Sequence, residues 1–384
     1  MVMRRKSAAV RSRSRSGAIA PLTAALMVPL LAMAAFVVDL GYLRLVQQQL
    51  HNAADSAALA GASQLLLRSK LQGHASTNTE MDTLRQEAQR FANKNICGGT
   101  AITLGISDVV VGYLANPSDQ SSVLITDTPV YNSVQVTAQR TAQSNGSVAL
   151  FLAPLLGRTS MDLKASATAS YESVKGFSFA ATNNQDMSCK LLPFALLVST
   201  WNAATAGTGP DDWTYDHLTK AVRSGSDGIH EATLFPSKNL TAGNFGTVDI
   251  GKSNNSTADV VRQILYGPNK SDFDALGGRI ALGADGTTTL EGDTGLSAGF
   301  KSALESIIGQ PRIIPLYSTV AGVGNNAKFT IVGFAGIVIT KVDLTGPSKY
   351  ITVQPEFVID PTAIGGGGPD SNNHFVYRPL ALTH

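Results

Sequence analysis

Residues Ala18 to Val38 run for 21 positions without a charged side chain. A helix of about 20 apolar residues, rising roughly 1.5 Å at each, matches the hydrocarbon thickness of a bilayer, so this run predicts a membrane-spanning helix. Pro21 and Pro29 fall inside it. Proline is tolerated in membrane helices whose freed carbonyls find other partners, so the two predict a bend and not a stop. Beyond the run, Leu43, Val46, Leu50, Ala54, Ala57 and Gly61 recur every three or four residues, with Arg44, Gln47, Gln48 and Asp55 around the remaining surface. The helix is therefore expected to continue to about Leu67, as a rod about 75 Å long. Its face of Ala53, Ala54, Ala57, Ala58, Ala60, Gly61 and Ala62 allows a second helix, from this chain or another, to approach closely; small residues also pack ordinary cores.

After a turn at Gly73 to Asn78, Thr79 to Asn93 reads as a helix with Met81, Leu84, Ala88 and Phe91 on one side. Alternation then takes over at Ile102, Leu104 and Ile106, and Val109 to Leu114 and Val130 to Ala138 are rich in strand formers. Val148 to Leu156 is apolar, interrupted by Pro154, and too short to span a bilayer, which leaves core or interface. Arg158 to Tyr171 alternates loosely as strand or helix. Helices are expected at Thr257 to Tyr266 and Leu296 to Ile308, and strands at Arg312 to Tyr317 and Tyr350 to Ile359. Phe329 to Val342 is apolar in both alternating series, the pattern of a central strand buried on both faces.

The fold class that follows is α+β, with one amino-terminal transmembrane helix continuing outward into mixed helix and strand domains. The expected organisation is a basic cytoplasmic leader (1–16), a transmembrane anchor (17–40), an extracytoplasmic helical stalk (41–70), a first exported region (71–175), a linker (176–190), a second, strand-rich exported domain (191–360) and a flexible tail (361–384).

Charge refines this picture. Arg4, Arg5, Lys6, Arg11, Arg13 and Arg15 precede the apolar run with no acid among the first 16 residues, which predicts a cytoplasmic amino terminus and an extracytoplasmic bulk. A cleaved secretory leader shares the basic-then-apolar order, but its apolar core is usually about 7–15 residues, so a retained inner-membrane anchor in contact with lipid is expected. Without those six cations the remaining 24 basic and 28 acidic residues give a net charge of −4. No basic surface for nucleic acid is implied, and the leader suits topology and anionic lipid. Cys97 and Cys189 fall in the exported part, where a disulfide can persist, and form a candidate pair.

Of the usual signatures of catalysis, His-Glu-x-x-His is missing, while Gly246 to Ser253 and Gly295 to Gly299 fit the Gly-x-x-x-x-Gly-Lys-Ser/Thr and Gly-x-Ser-x-Gly spacings only as bare strings. Asp211, Asp212 and His217, or His230 and Glu231, could suggest a hydrolase or metal site, although adjacent acids in a glycine-rich loop more often form a solvated turn. No cofactor or metal and no enzymatic activity are expected.

Arg15-Ser16-Gly17-Ala18-Ile19-Ala20, Pro29-Leu30-Leu31, Val38-Asp39-Leu40-Gly41 and the block Gln49 to Gly61, with its Ala54-Asp55-Ser56-Ala57-Ala58-Leu59-Ala60-Gly61, resemble the amino-terminal region of the TadG-like family of Flp, or tight-adherence, pilus assembly. Shorter stretches at Val148 to Ala169, Asn244 to Gly251 and Pro311 to Leu316 look like its exported parts. The resemblance implies a bacterial envelope protein that serves pilus assembly. Its partners would be other assembly proteins, or further copies joined through the amino-terminal helix. Asp39 and Gly41 would mark the membrane edge, and Ala54, Asp55, Ala57, Ala58 and Gly61 the helix-packing face. No glutamate follows Gly17 as at pseudopilin processing sites, and no Asp-x-Ser-x-Ser metal motif is present. The readings from other classes are an anchored adhesion protein and an exported hydrolase.

Overall fold

The structure, a computed structural model, describes residues 19–74, 76–128, 131–180, 187–235, 246–251, 256–294, 297–322, 326–345, 349–366 and 374–383. The basic leader lies outside them. Helix α1 spans Ile19–Ser63 and includes Pro29. It stops four residues short of the expected Leu67, where the N–H groups of Gln64 and Leu65 bond three residues back to Gly61 and Ala62 and tighten the last turn. A short helix α2, Arg68–Leu71, follows, then α3, Asn78–Asn93. Thr77 and Glu80 form a capping box at the start of α3: the Thr77 hydroxyl accepts the Glu80 N–H at 3.2 Å, and the Glu80 carboxylate accepts the Thr77 N–H at 2.8 Å.

The chain divides into two compact units. The first holds the residues up to Ala53 together with Asn93–Thr103 and Ala138–Ala165; the second holds Ala54–Ala92, Leu104–Thr137 and everything from Ser166 on. The α+β class expected from the sequence is what is observed, a long apolar helix followed by mixed helices and strands.

In the second unit the Ala-rich end of α1 is buried by its own chain. Ala54, Ala57, Ala58 and Gly61 are buried, and Asp55 is half-buried. A Cβ at Gly61 would lie 3.2 Å from Val134 Cγ1 and 3.3 Å from Ala88 Cβ, so the glycine lets α3 and the strand Ser133–Arg140 close on α1. Of the alternatives for this face, packing within the chain is the one observed. Val109–Gly112 pairs antiparallel with Ser133–Arg140, and Leu163–Ser170 pairs antiparallel with Ala381–Leu382 in the same four-stranded sheet. Arg158 to Tyr171 resolves as strand.

A seven-stranded sheet is built on Ala327–Asp343. One edge of this strand pairs with Pro311–Ala321; the other is shared between Thr288–Thr294 along its first part and Tyr350–Pro355 along its second. Gly333 to Thr340 is buried without interruption, as a strand covered on both faces requires. Ala335, Ile337 and Ile339 join a core with Trp201, Val260, Ile264 and Leu304, while Phe334 joins another with Phe177 and Phe273. Phe177 and Phe334 meet edge to face at 5.0 Å.

Three further expectations are corrected. The linker includes part of a paired strand, Val174–Ser178, held between Arg279–Ala281 and Ala363–Gly365. The flexible tail contributes the strands Ala363–Gly365, Val376–Tyr377 and Ala381–Leu382, each paired in a sheet; residues 367–373 of its glycine-rich stretch lie outside the described residues. Cys97 and Cys189 are both free and buried, so the candidate disulfide is not formed.

Replacing Gly61 with leucine is expected to destabilise the full-length protein by about 1–3 kcal/mol through overpacking, read as a lower denaturant midpoint. A second expectation concerns Lys70, whose Nζ donates to the Tyr131 carbonyl at 2.8 Å. Burial pushes its pKa down from 10.5 to about 8, against the pull of Glu80. The unfolded chain therefore binds more protons between about pH 8 and 10.5, and stability should rise with pH across that window. The rise should be lost in Lys70→Met, with unfolding free energies compared across the same range.

Candidate functional site

The described side chains of residues 21–38 on α1 are exposed, apart from a half-buried Ala32. The next residue, Asp39, is only 5% exposed. A buried carboxylate must find donors, and this one takes three consecutive backbone N–H groups. Its Oδ1 accepts from Phe151 at 2.8 Å, its Oδ2 from Ala153 at 2.6 Å, and the Leu152 N–H reaches both oxygens at 3.3 and 3.0 Å. The donors sit in the tip of a hairpin whose arms, Val148–Ala149 and Ser160–Met161, pair antiparallel, and they lead into the 3-10 turn Ala153–Leu156.

Asp39, Tyr42, Val46 and Gln49 recur at three or four residues and so share one face of α1. Tyr42 meets Phe151 edge to face, ring centroids 4.9 Å apart. Gln49 Oε1 accepts the Gly98 N–H at 2.8 Å. Gly98 has φ +56°, and a Cβ there would come within 3.0 Å of Val46 Cγ2 and 3.1 Å of the Tyr42 hydroxyl, so backbone lies directly against the helix. Gln47 donates to the Lys164 carbonyl at 2.8 Å. Buried Arg140 secures the loops from behind: it donates to the carbonyls of Cys97, Gly98 (3.3 Å) and Gly146 (2.8 Å). The result is a collar of loops gripped by the polar side chains of the first turns of α1 beyond the apolar run.

The groove beside this collar has a volume of about 730 Å³ and is overwhelmingly apolar. Its walls are Val28, Leu31, Phe36 and Leu43 of α1 on one side and Leu150, Leu152 and Met161 of the hairpin on the other, with Arg158 among them.

Of the residues singled out in the sequence, Asp39 is at the centre of this site. Gly41 is exposed, and a Cβ there would meet nothing within 4 Å, so packing gives it no role. Ala54, Ala57, Ala58 and Gly61 are core positions of the second unit. The acids weighed for hydrolysis organise turns: Asp211 accepts the N–H groups of Asp227 and Gly228, and Glu231 those of Asp212 and Trp213. Burial raises the Glu231 pKa despite those bonds. Among the described residues no group of three or more His, Cys, Asp or Glu could hold a metal ion. Sequence reasoning missed Arg140, Gln49 and the hairpin donors. The signal available was a lone acid closing an apolar run, together with a second apolar run at Val148 to Leu156 with no assigned cover.

Fold and site together define an α+β protein carried on one amino-terminal helix long and apolar enough to cross a membrane. Residues 17–64 match the Flp pilus-assembly TadE/G-like family, and residues 47–169 the Tad-like Flp pilus-assembly family. These matches, over residues 17–169, agree with the resemblance carried by the Asp39 and Ala54 to Gly61 motifs and support a TadG-like Flp pilus-assembly family and a role in pilus assembly. No curated protein and no solved structure matches it.

Replacing Asp39 with alanine should leave the three N–H donors without a charged acceptor. Amide exchange at Phe151 to Ala153 should then accelerate roughly ten- to hundredfold. Asp39→Asn, which keeps one carbonyl acceptor, should fall between. Unchanged exchange in the alanine variant would show that the collar holds without the carboxylate.

Proposed function

We propose that the protein is a membrane-anchored, non-catalytic assembly component of a Flp-type pilus. The first part of α1 spans the inner membrane, with the amino terminus cytoplasmic and the rest of the chain extracytoplasmic. The observation that carries this reading is the abrupt change at Asp39. The apolar residues before it, whose described side chains are exposed apart from a half-buried Ala32, suit a lipid surround, and the polar side chains after it are engaged by protein loops. The cations at Arg4, Arg5, Lys6, Arg11, Arg13 and Arg15 support the orientation.

The contribution to assembly on this reading is positional and non-covalent. The collar fixes the first unit to the helix as it leaves the bilayer, so docking surfaces are presented at a set height and rotation. Partners are other pilus-assembly proteins, engaged through surfaces other than the Ala54 to Gly61 face, which α3 and the strand Ser133–Arg140 already fill.

In spheroplasts of the native cell, external protease should degrade the carboxyl half of the full-length protein and spare a tag fused ahead of residue 1. Affinity capture from solubilised native membranes should recover other pilus-assembly proteins. Protection of the carboxyl half, or a freely soluble intact product, would overturn the anchored reading. Capture of an external ligand without any assembly protein would replace scaffold with adhesin.

A further inference from the structure

We propose that the hairpin tip, residues 150–159, is a second membrane contact, inserted into the outer leaflet beside α1, and that the groove between them holds a phospholipid acyl chain. The proposal rests on the anchored reading above and deepens it.

Three independent observations converge. The first is depth. The groove is lined by α1 residues from Val28 to Leu43, and Val28 precedes Asp39 by 11 residues, about 16 Å along the helix. The hydrocarbon core of a bilayer is about 30 Å thick, so a groove reaching Val28 runs down the outer half of the span. The hairpin residues Leu150, Leu152, Ala153 and Met161 form its facing wall, and the tip is bonded to α1 at Asp39, which places it at the shallow end of that half.

The second is surface chemistry. The tip reads Leu150-Phe151-Leu152-Ala153-Pro154-Leu155-Leu156-Gly157-Arg158-Thr159. Phe151 is 64% exposed, and Met161 at the base is exposed as well. Such a patch in water is unfavourable by its apolar area, and lipid removes that cost. Arg158 is exposed and, among the described residues, is the cation lining the groove, placed to extend its guanidinium to a lipid phosphate while its methylenes stay against the apolar wall.

The third observation is the strongest. Irregular backbone is tolerated at membrane depth only when its polar groups are satisfied within the protein. Here six of the tip's N–H groups are: Phe151, Leu152 and Ala153 donate to Asp39, Leu150 donates to the Thr159 carbonyl, and Gly157 and Arg158 donate back to Pro154 and Ala153, while Pro154 has no N–H to satisfy. A water-exposed loop has no need of this internal satisfaction; a loop in lipid does. Asp39 is therefore a positioning residue, supplying the acceptors that allow the tip to leave water.

The test uses the full-length protein in nanodiscs of anionic phospholipid, with lipids brominated at defined depths. Tryptophan is placed at position 151 (Phe151→Trp), at 161 (Met161→Trp) or at 31 (Leu31→Trp), and emission is read as the difference from the parent protein, which subtracts Trp201 and Trp213. Emission from 151 and 161 should shift to shorter wavelength and be lost to shallow bromines, and emission from 31 should be lost to deeper ones. Adding Asp39→Ala should abolish quenching at 151 and leave it at 31. Quenching at 31 with solvent-like, unquenched emission at 151 and 161 would overturn the inserted hairpin while leaving the anchor standing. Blue-shifted but unquenched emission at 151 and 161 would show protein, from a second copy or an assembly partner, in place of lipid, and would overturn it equally. Absence of quenching at all three sites would sink the anchored reading itself. Co-purifying phospholipid, lost on adding bulk at the groove through Ala153→Trp, is the expected sign of the bound acyl chain; lipid retained unchanged in that variant would refute the occupant.

Discussion

A single carboxylate sets the geometry of the first unit. Asp39 is buried at the point where α1 ceases to be uniformly apolar, and burial of an unpaired charge would be prohibitive. Three backbone donors from one hairpin meet it, and charge-assisted bonds of 2.6 to 3.0 Å are the strong, directional kind. Tyr42, Val46 and Gln49 extend the same contact along one face, so helix rotation, hairpin position and the loop at Gly98 are fixed together. Without the carboxylate, the apolar part of α1 would have no feature capable of setting its register against the loops.

Arg140 works by the converse logic. Its guanidinium is satisfied by backbone carbonyls of two loops. One side chain accepts from backbone and the other donates to it, and between them they hold irregular chain segments that no ladder of hydrogen bonds would define. The collar is thus specified by side-chain chemistry on regular elements, which is how loops of irregular shape are made rigid.

The alanine-rich block has a different physical reason. A glycine at 61 and alanines at 54, 57 and 58 let α3 and the strand Ser133–Arg140 reach van der Waals contact with α1 inside one chain. The small side chains of this stretch are therefore explained by intrachain packing. The larger sheet of the second unit follows the rule for doubly covered strands, with Phe334 on one side and Ala335, Ile337 and Ile339 on the other.

Periodicity and run length were enough to define α1, α3 and the buried strand within Phe329 to Val342, because each of those signals is local and repeats over many residues. Asp39 was marked by the resemblance of the Val38 to Gly41 motif. Partners were another matter. That the carboxylate meets residues 151–153, that the Ala54 to Gly61 face is filled by α3, that Cys97 and Cys189 stay apart from any bridge, and that the last residues return as paired strands are all contacts across long sequence separations. Short strands such as Ala363–Gly365 and Val376–Tyr377 carry too few residues to show a period, and a lone polar residue does not encode which distant backbone will satisfy it. The chain announces which groups must be covered; only the folded structure decides what covers them.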